Sequence, residues 1–164
     1  MVVLITGSSR GLGFQLGKLL EANGNEVVYH QRKREVMCDV KNIITAELLN
    51  KDQLNTELLA TQKCGLNIEH LICNAGQSSY SKTRYSGFEN IEKALNENVI
   101  VTSNAIHSTL MYHGETLKTI TIIGSICGEE YIDGAPIEYG IAKSTLKALT
   151  KSSAHYLADY NIRC

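Results

Sequence analysis

The sequence predicts an α/β fold in which a doubly wound parallel sheet is covered by helices. Short apolar runs alternate along the chain with longer segments that have helical spacing. The first run, residues 2–5, is continuously apolar, as expected for a strand buried on both faces of a parallel sheet. Glycine or polar residues directly follow the runs. The 164 residues contain no repeat or linker, so we expect one domain.

Each element is predicted from the spacing of its apolar residues. The strands are predicted at residues 2–5, 27–29, 70–73 and 119–123. The helices are predicted at residues 12–22, 43–62, 89–111 and 138–160. Ligands of such sheets bind beyond the carboxyl ends of the strands. The candidates for a site are therefore residues 7–13, residues 31–32, residues 74–76 and Ser125.

Composition argues against several classes of function. The net charge of −1 provides no general basic field for nucleic acid. The five cysteines are odd in number and lack CxxC spacing, which argues against a disulfide framework or a zinc site. The five histidines lack metal-ligand spacing and are expected in ordinary strand or helix-surface positions. Residues 1–7 do not resemble a signal peptide, and no run approaches the roughly 18 apolar residues of a membrane span. We therefore expect a cytoplasmic protein with no metal site and no membrane or nucleic-acid partner.

A glycine-rich turn joins the first predicted strand to the first helix. It runs TGSSRGLG from Thr6 to Gly13, with GxxxGxG spacing rather than the more familiar GxGxxG. Glycines allow a tight turn and a close approach of backbone to phosphate, and a helix N-terminus offers free N–H groups. The turn therefore predicts a phosphate-binding site, the alternative being an ordinary strand–helix connection.

A second motif places a phenol and an ammonium one helical turn apart, at Tyr139 and Lys143. An ammonium near a phenol stabilises its phenolate form, so Tyr139 is a candidate general acid and base. Ser125 lies fourteen residues upstream, just past a predicted strand, and could hydrogen-bond a substrate oxygen. The alternative is that Tyr139 and Lys143 are an ordinary pair on a helix surface.

Taken together, these motifs resemble the classical short-chain dehydrogenase/reductase family over essentially the whole chain. The resemblance implies a Rossmann-like sheet with strand order 3-2-1-4-5 and hydride transfer between a nicotinamide cofactor and a carbonyl/alcohol substrate. It implies that Asn98 holds a water that relays protons to Lys143, and that Lys143 also binds the nicotinamide ribose. The catalytic residues that it implies are Asn98, Ser125, Tyr139 and Lys143.

The resemblance also implies a set of cofactor contacts, with Asp39 followed by Val40 at the adenine and Asn74-Ala75-Gly76 after the fourth strand. Charge at the adenosine end then favours NADP over NAD, because Arg32 follows Gln31 where NAD enzymes carry an acidic residue. Arg10 and Arg32 together suit a 2′-phosphate, unless both point into water. The expected cofactor-binding residues are Gly7, Ser9, Arg10, Gly11, Leu12, Gly13, Arg32, Asp39, Val40, Asn74, Ala75, Gly76, Tyr139 and Lys143.

The chain departs from the family pattern in two places. Few residues separate Arg32 from Asp39, so the helix that usually connects strands 2 and 3 is expected to be absent and a third strand at 36–38 would be short. Residues 161–164 resemble the opening of the sixth strand, and the sequence stops there. We therefore expect residues 1–164 to form a single dinucleotide-binding domain that lacks strands 6 and 7 and is incomplete in its nicotinamide and substrate halves.

The leading functional hypothesis is an NADP-dependent oxidoreductase of a carbonyl/alcohol pair, with Tyr139 as acid and base. Residues 125–139 look faintly like members that act on surface sugars or polyols. The alternative is a non-catalytic nucleotide-binding or regulatory remnant of such an enzyme, and a weaker third possibility is a protein-interaction module. The resemblance also implies a homo-oligomer that pairs through helices 89–111 and 138–160.

Overall fold

The sheet consists of five parallel strands, all short and mostly buried. A computed structural model describes residues 1–33, 40–78 and 86–164, with only the backbone of residues 86 and 87 described. The strands are β1 Val2–Ile5, β2 Glu26–Gln31, β3 Asn42–Thr45, β4 His70–Cys73 and β5 Thr119–Ile122. Their order is β3-β2-β1-β4-β5, which confirms the predicted order and places β1 at the centre.

Helices connect the strands and pack on the sheet. The longer described helices are α1 Gly11–Ala22, α2 Lys51–Lys63, α5 Val101–His113 and α6 Ile137–Leu157. The shorter elements are α3 Ser86–Glu89, α4 Ile91–Leu95, a π-helical turn at Asn96–Ile100 and 3₁₀ turns at Ile126–Gly128 and Ala158–Tyr160. None of the described helices is both long enough and apolar enough to span a bilayer.

The third strand and the second helix lie elsewhere than predicted. The predicted strand at 36–38 falls outside the described residues, and β3 occupies Asn42–Thr45, where the sequence was predicted to be helical. The β-branched side chains of this segment favour a strand. The helix starts later because Asn50 caps it, its side chain accepting hydrogen bonds from the N–H groups of Asp52 and Gln53. The connection from β2 to β3 lies largely outside the described residues, so the absence of a helix there stays a prediction.

Alternate residues of the central strands point to opposite faces of the sheet and build two apolar clusters. Leu4 and Val28 belong to the larger cluster, which also contains residues of α2, α5 and α6. Val3, Ile5 and Tyr29 belong to the smaller one, which α1 covers. Gly17 of α1 lies so close to the Tyr29 ring that a side chain there would collide with it. Both faces are thus packed, and the strand ends at the carboxyl edge remain available for a site.

The last residues of the chain begin to pair with the outer side of β5. Arg163 forms a parallel bridge with Thr119. The Arg163 N–H donates to the carbonyl of Lys118 at 3.0 Å, and the Ile120 N–H donates to the carbonyl of Arg163 at 2.8 Å. This pairing is where a sixth strand would begin, next to β5, as the sequence predicted.

Candidate active site

An open cleft of about 510 Å³ lies beyond the carboxyl ends of the strands. It spans the point where the strand order reverses, with β2 on one side of β1 and β4 on the other. The structure brings most of the predicted cofactor residues to its walls. These residues are Gly7, Ser9, Arg10, Gly11, Arg32, Asn74, Ala75 and Gly76.

The glycine turn fits closely against the end of β4. Gly7 and Gly11 have φ of +62° and +61°, the left-handed region that favours glycine. A Cβ on Gly7 would lie 2.7 Å from the Cα of Ala75, and one on Gly13 would lie 2.5 Å from the Asn74 Nδ2. Gly7 and Gly13 therefore lie where a larger residue does not fit. Gly13 and Leu12 are not in the cleft lining: Gly13 is buried beneath the turn and the Leu12 side chain is exposed.

The turn leads directly into the N-terminus of α1, and that end suits an anion. Arg10 occupies the N-cap position without a capping hydrogen bond from its side chain, and the first turn of α1 carries no acidic residue. Backbone N–H groups at a helix start have no partner within the helix and bear partial positive charge. The start of α1 can therefore hold a phosphate group.

Asn74 joins the ends of β1 and β4. Its side-chain amide donates to the carbonyls of Thr6 at 3.1 Å and Gly7 at 2.9 Å. The Thr6 hydroxyl in turn accepts from the backbone N–H groups of Asn74 and Ala75, at 3.0 and 3.1 Å. These bonds hold the glycine turn in place. The Asn74 side chain thus acts on the turn by donating to the backbone carbonyls of Thr6 and Gly7.

On the β3 side of the cleft, the structure corrects the predicted position of Val40. Asp39 lies outside the described residues, and Val40 precedes β3, so it lies at the amino edge of the sheet, where it packs against the smaller cluster. Val40 therefore does not line the cleft at the carboxyl edge. The residues that follow β3 there are Glu47 and Leu48, and both line the cleft. Val40 was misplaced because the prediction put the third strand too early in the chain, and the contact of Asp39 stays a prediction.

Charge at this end is mostly positive. Arg10, Arg32 and Lys33 line the cleft together with Glu47. The Arg32 Nε lies 4.0 Å from the Glu47 Oε2, and these side chains are 65% and 42% exposed. An exposed pair at that separation contributes little to stability. Arg32 can therefore exchange this carboxylate for a phosphate at small cost.

Asn98 lies at the centre of the π-helical turn, a distortion that the sequence prediction of one continuous helix missed. It is fully buried, and its amide donates to the carbonyls of Gln77 at 2.8 Å and Ala94 at 2.9 Å. Its Oδ1 has no hydrogen-bond partner among the described residues. Single π turns inside α-helices are frequent at functional sites. A buried acceptor without a partner suits a bound water.

Lys143 is brought close to Asn98 and Tyr139. A Cβ placed on Gly76 would lie 2.7 Å from the Asn98 Oδ1 and 3.6 Å from the Lys143 Nζ, so both groups flank the same glycine. The Lys143 Nζ donates to the carbonyl of Ile123 at 2.9 Å and lies 5.6 Å from the centre of the half-buried Tyr139 ring. Burial lowers the pKa of Lys143 below its ordinary value.

Ser125 follows β5 and caps a 3₁₀ turn, its hydroxyl accepting from the Cys127 N–H at 3.2 Å. Two glycines, which sequence reasoning did not single out, allow this turn to lie directly on α6. A Cβ on Gly128 would lie 2.7 Å from the backbone carbon of Lys143, and one on Gly140 would lie 3.0 Å from the Cys127 carbonyl oxygen. This contact fixes the segment of Ser125 against the helix that carries Tyr139 and Lys143.

A parallel sheet with a glycine turn and a Tyr-x-x-x-Lys helix at its carboxyl edge defines a class of nucleotide-dependent oxidoreductases. The family model described as short chain dehydrogenase matches residues 1–164, and the chain belongs to that family. Members of the family use a nicotinamide dinucleotide, NAD or NADP.

Individual relatives are distant. The chain is 25% identical over 174 residues to the human protein "Dehydrogenase/reductase SDR family member 2, mitochondrial", covering 99% of this chain and 61% of that protein. It is 25% identical over 173 residues to the 3-oxoacyl-[acyl-carrier-protein] reductase FabG of Rickettsia prowazekii, covering 97% of this chain and 67% of that one. The chain thus spans about three-fifths of the length of the human relative.

Solved structures share the fold. Ligand-free aldohexose dehydrogenase of Thermoplasma acidophilum matches with a TM-score of 0.86 at 24% identity, covering 99% of this chain and 63% of that one. A short-chain type dehydrogenase/reductase of Mycobacterium marinum matches with a TM-score of 0.88 at 24% identity, covering 99% and 71%. At this level of identity the likeness concerns the fold.

The contact between Gly128 and α6 leads to a prediction about stability. Gly128→Ala should destabilise the protein by about 1–3 kcal/mol, because the new methyl must push the 3₁₀ turn away from the backbone of α6. Gly124→Ala in the same connection is the matched control, since a Cβ there meets no atom within 4 Å. Thermal unfolding monitored by circular dichroism measures both, and equal midpoints for the two variants would contradict the prediction.

Proposed function

We propose that this protein is an NADP(H)-dependent oxidoreductase that interconverts a carbonyl and an alcohol, with Tyr139 as the proton donor and acceptor. One observation carries the proposal. A single edge of the sheet holds both the glycine turn, which leads into a helix start without a side-chain cap, and the buried pair of Asn98 and Lys143, which lies beside Tyr139. The residues proposed for binding line the cleft, and Asn98 and Lys143 lie beside Gly76 at the same edge of the sheet.

The cleft suits a dinucleotide phosphate. The pyrophosphate would lie on the glycine turn at the start of α1, where the first N–H groups of the helix have no partner within it. The adenosine 2′-phosphate would lie near Arg10 and Arg32, whose planar guanidinium groups can bind phosphate through two hydrogen bonds each. When bound, the nicotinamide supplies or accepts the hydride.

The proposed transfer of a proton to and from the substrate oxygen uses Tyr139, Lys143, Asn98 and Ser125. During carbonyl reduction the Tyr139 hydroxyl gives its proton to the substrate oxygen, and during alcohol oxidation the phenolate takes it back. The Lys143 ammonium stabilises the phenolate. A water on the free Asn98 Oδ1 can return the proton through Lys143, whose lowered pKa eases release of its own proton. The Ser125 hydroxyl would stabilise negative charge on the substrate oxygen.

A second candidate is cofactor binding without turnover. It is favoured by the lining of the described cleft, which includes the glycine turn but neither Tyr139 nor Lys143. The two candidates share the dinucleotide site and differ in whether Tyr139 takes part in chemistry.

The proposal also includes assembly into a homo-oligomer through α5 and α6. Large apolar side chains on these helices are exposed in the single chain, namely Met111, Ile137, Ile141, Tyr156 and the flanking Tyr160. We expect sedimentation equilibrium to give a mass of at least two chains at micromolar concentration, because pairing would cover this apolar surface. A single-chain mass across that range would argue against assembly through these helices.

Arg32 tests the cofactor preference. Arg32→Gln should weaken NADPH binding about tenfold while changing NADH binding little, because only NADPH carries the 2′-phosphate that the guanidinium would bind. Lys41→Gln removes the same charge from an 85% exposed side chain before β3, at the other edge of the sheet, and serves as the control. Isothermal titration with both cofactors gives the affinities. Equal losses for NADPH and NADH in Arg32→Gln would contradict an NADP preference set by Arg32.

Tyr139 distinguishes the two candidates. Tyr139→Phe should lower turnover about 100-fold or more while NADPH affinity is retained, because only the acidic proton is lost. Tyr131→Phe removes a hydroxyl from an 84% exposed ring on the preceding loop and is the matched control. Turnover is followed by NADPH absorbance with a panel of small aldehydes, ketones and sugars. Binding without turnover in the unmodified protein would favour the second candidate.

A further inference from the structure

His30 is a buried residue of the cleft that the proposed mechanism does not use. It lies near the carboxyl end of β2, is 3% exposed and lines the cleft beside the glycine turn. Its Nδ1 accepts a hydrogen bond from the backbone N–H of Gly7 at 2.9 Å. Its Nε2 lies 2.9 Å from the carbonyl oxygen of Ala46, which follows β3. One imidazole therefore touches the turn after β1 and the segment after β3.

These two contacts determine the protonation state of the ring. Nδ1 accepts from a backbone N–H, so it carries no proton, and Nε2 must then carry the proton that it donates to the Ala46 carbonyl. The backbone of His30 is held as well, since its N–H donates to the Ser8 hydroxyl at 2.8 Å and its carbonyl accepts from the Ser8 N–H at 3.0 Å. The ring is thus a neutral linker held in a single orientation.

The two segments that His30 joins form opposite walls of the cleft. Gly7 belongs to the glycine turn, which the side chain of Asn74, directly after β4, also holds through the Gly7 carbonyl. Ala46 precedes Glu47 and Leu48, which form the adenosine wall. That wall is anchored to α5 by Asn104, whose amide donates to the Leu48 carbonyl at 2.9 Å. His30 is a direct side-chain link between the two walls, so it sets their separation.

We infer that neutral His30 is a positioning residue for dinucleotide binding: it fixes the glycine turn against the adenosine wall through its unprotonated Nδ1 and its Nε2–H. The inference rests on the proposed function in one respect, that the cleft holds a dinucleotide. Protonation would give both ring nitrogens a hydrogen, so an N–H would face the Gly7 N–H and the link would break.

The surroundings keep the ring neutral. Burial lowers the pKa of His30, opposed in part by its hydrogen bond to Ala46 and by the carboxylate of Glu47. The other charged groups that line the cleft around it are Arg10, Arg32, Lys33 and Glu97. Because the folded-state pKa is lowered, the stability that neutral His30 contributes is fully present above about pH 6.5, the ordinary histidine pKa. It is lost as the pH falls from there through the folded-state pKa.

Two isosteric variants separate the two halves of the link. In His30→Asn the side-chain oxygen replaces Nδ1 and can still accept from Gly7, whereas in His30→Gln the side-chain nitrogen replaces Nε2 and can still donate to Ala46. Each variant keeps one bond and loses the other, so similar losses of thermal stability are expected. NADPH and NADH affinities should stay within about threefold of the wild-type values in His30→Asn, because Asn104 still holds the adenosine wall. They should fall about tenfold in His30→Gln, because a free Gly7 N–H releases the turn that would bind the pyrophosphate.

Hydrogen exchange tests the positioning directly, without cofactor. The Gly7 amide should be protected in the wild type and in His30→Asn, and should exchange at least about tenfold faster in His30→Gln, since a broken hydrogen bond leaves it open to water. Nitrogen NMR of the wild-type ring at pH 7 should show Nδ1 unprotonated, a readout that remains valid if either variant fails to fold. A protonated Nδ1, or an unprotected Gly7 amide in the wild type, would overturn the inference.

The pH dependence supplies a third measurement. Wild-type affinity should fall as the pH drops through the lowered folded-state pKa of His30, below its ordinary value, while that of His30→Asn should fall less, because it has no ring to protonate. The comparison with His30→Asn is needed because a ribose phosphate itself titrates near pH 6. NADPH profiles that coincide for wild type and His30→Asn, or equal affinities in the two variants, would overturn the inference. A wild type that binds neither cofactor but keeps Gly7 protected would overturn the proposed function and leave His30 with a purely structural role.

Discussion

The arrangement of the site depends on how closely the backbone after β1 approaches the backbone after β4. At Gly7 the two are so close that a single added methyl would lie 2.7 Å from the Cα of Ala75. Thr6 and Asn74 hold this approach with hydrogen bonds in both directions. Because the turn is held there, α1 starts with its N–H groups directed at the cleft, and residues 75–77 pass beneath Asn98 and Lys143. The proposed phosphate binding and proton transfer would thus depend on one junction.

The same principle of close backbone approach recurs beside α6. Gly128 and Gly140 bring the connection after β5 onto α6, and Gly76 brings the connection after β4 onto Asn98 and Lys143. At each contact a glycine lets the backbone lie where another residue would place a side chain. The contacting segments can therefore shift very little relative to each other. The side chains that carry the proposed chemistry are therefore positioned by glycines that have no chemistry of their own.

Sequence reasoning recovered the features that depend on local pattern. Four strands were located because buried parallel strands are short apolar runs, and Tyr139 and Lys143 were paired because helical spacing fixes their shared face. It failed where tertiary contacts decide. Ile43 and Ile44 fit either a strand or a helix, and only pairing with β2 made them a strand. That error placed Val40 at the cleft, whereas Glu47 and Leu48 are the residues after β3 that line it. The π-helical turn at Asn98 and the role of His30 leave no signature in spacing at all.

The hydrogen bonds of His30 have a consequence for the reactivity of the cleft. With Nδ1 accepting from Gly7 and Nε2 directed at the Ala46 carbonyl, the imidazole has no free lone pair for a metal ion or for a substrate proton. A histidine beside a phosphate site would otherwise attract divalent cations and compete as a base. Here both ring nitrogens are engaged, so His30 would take no part as a base or metal ligand, and the proposed acid–base chemistry would be left to Tyr139 and Lys143.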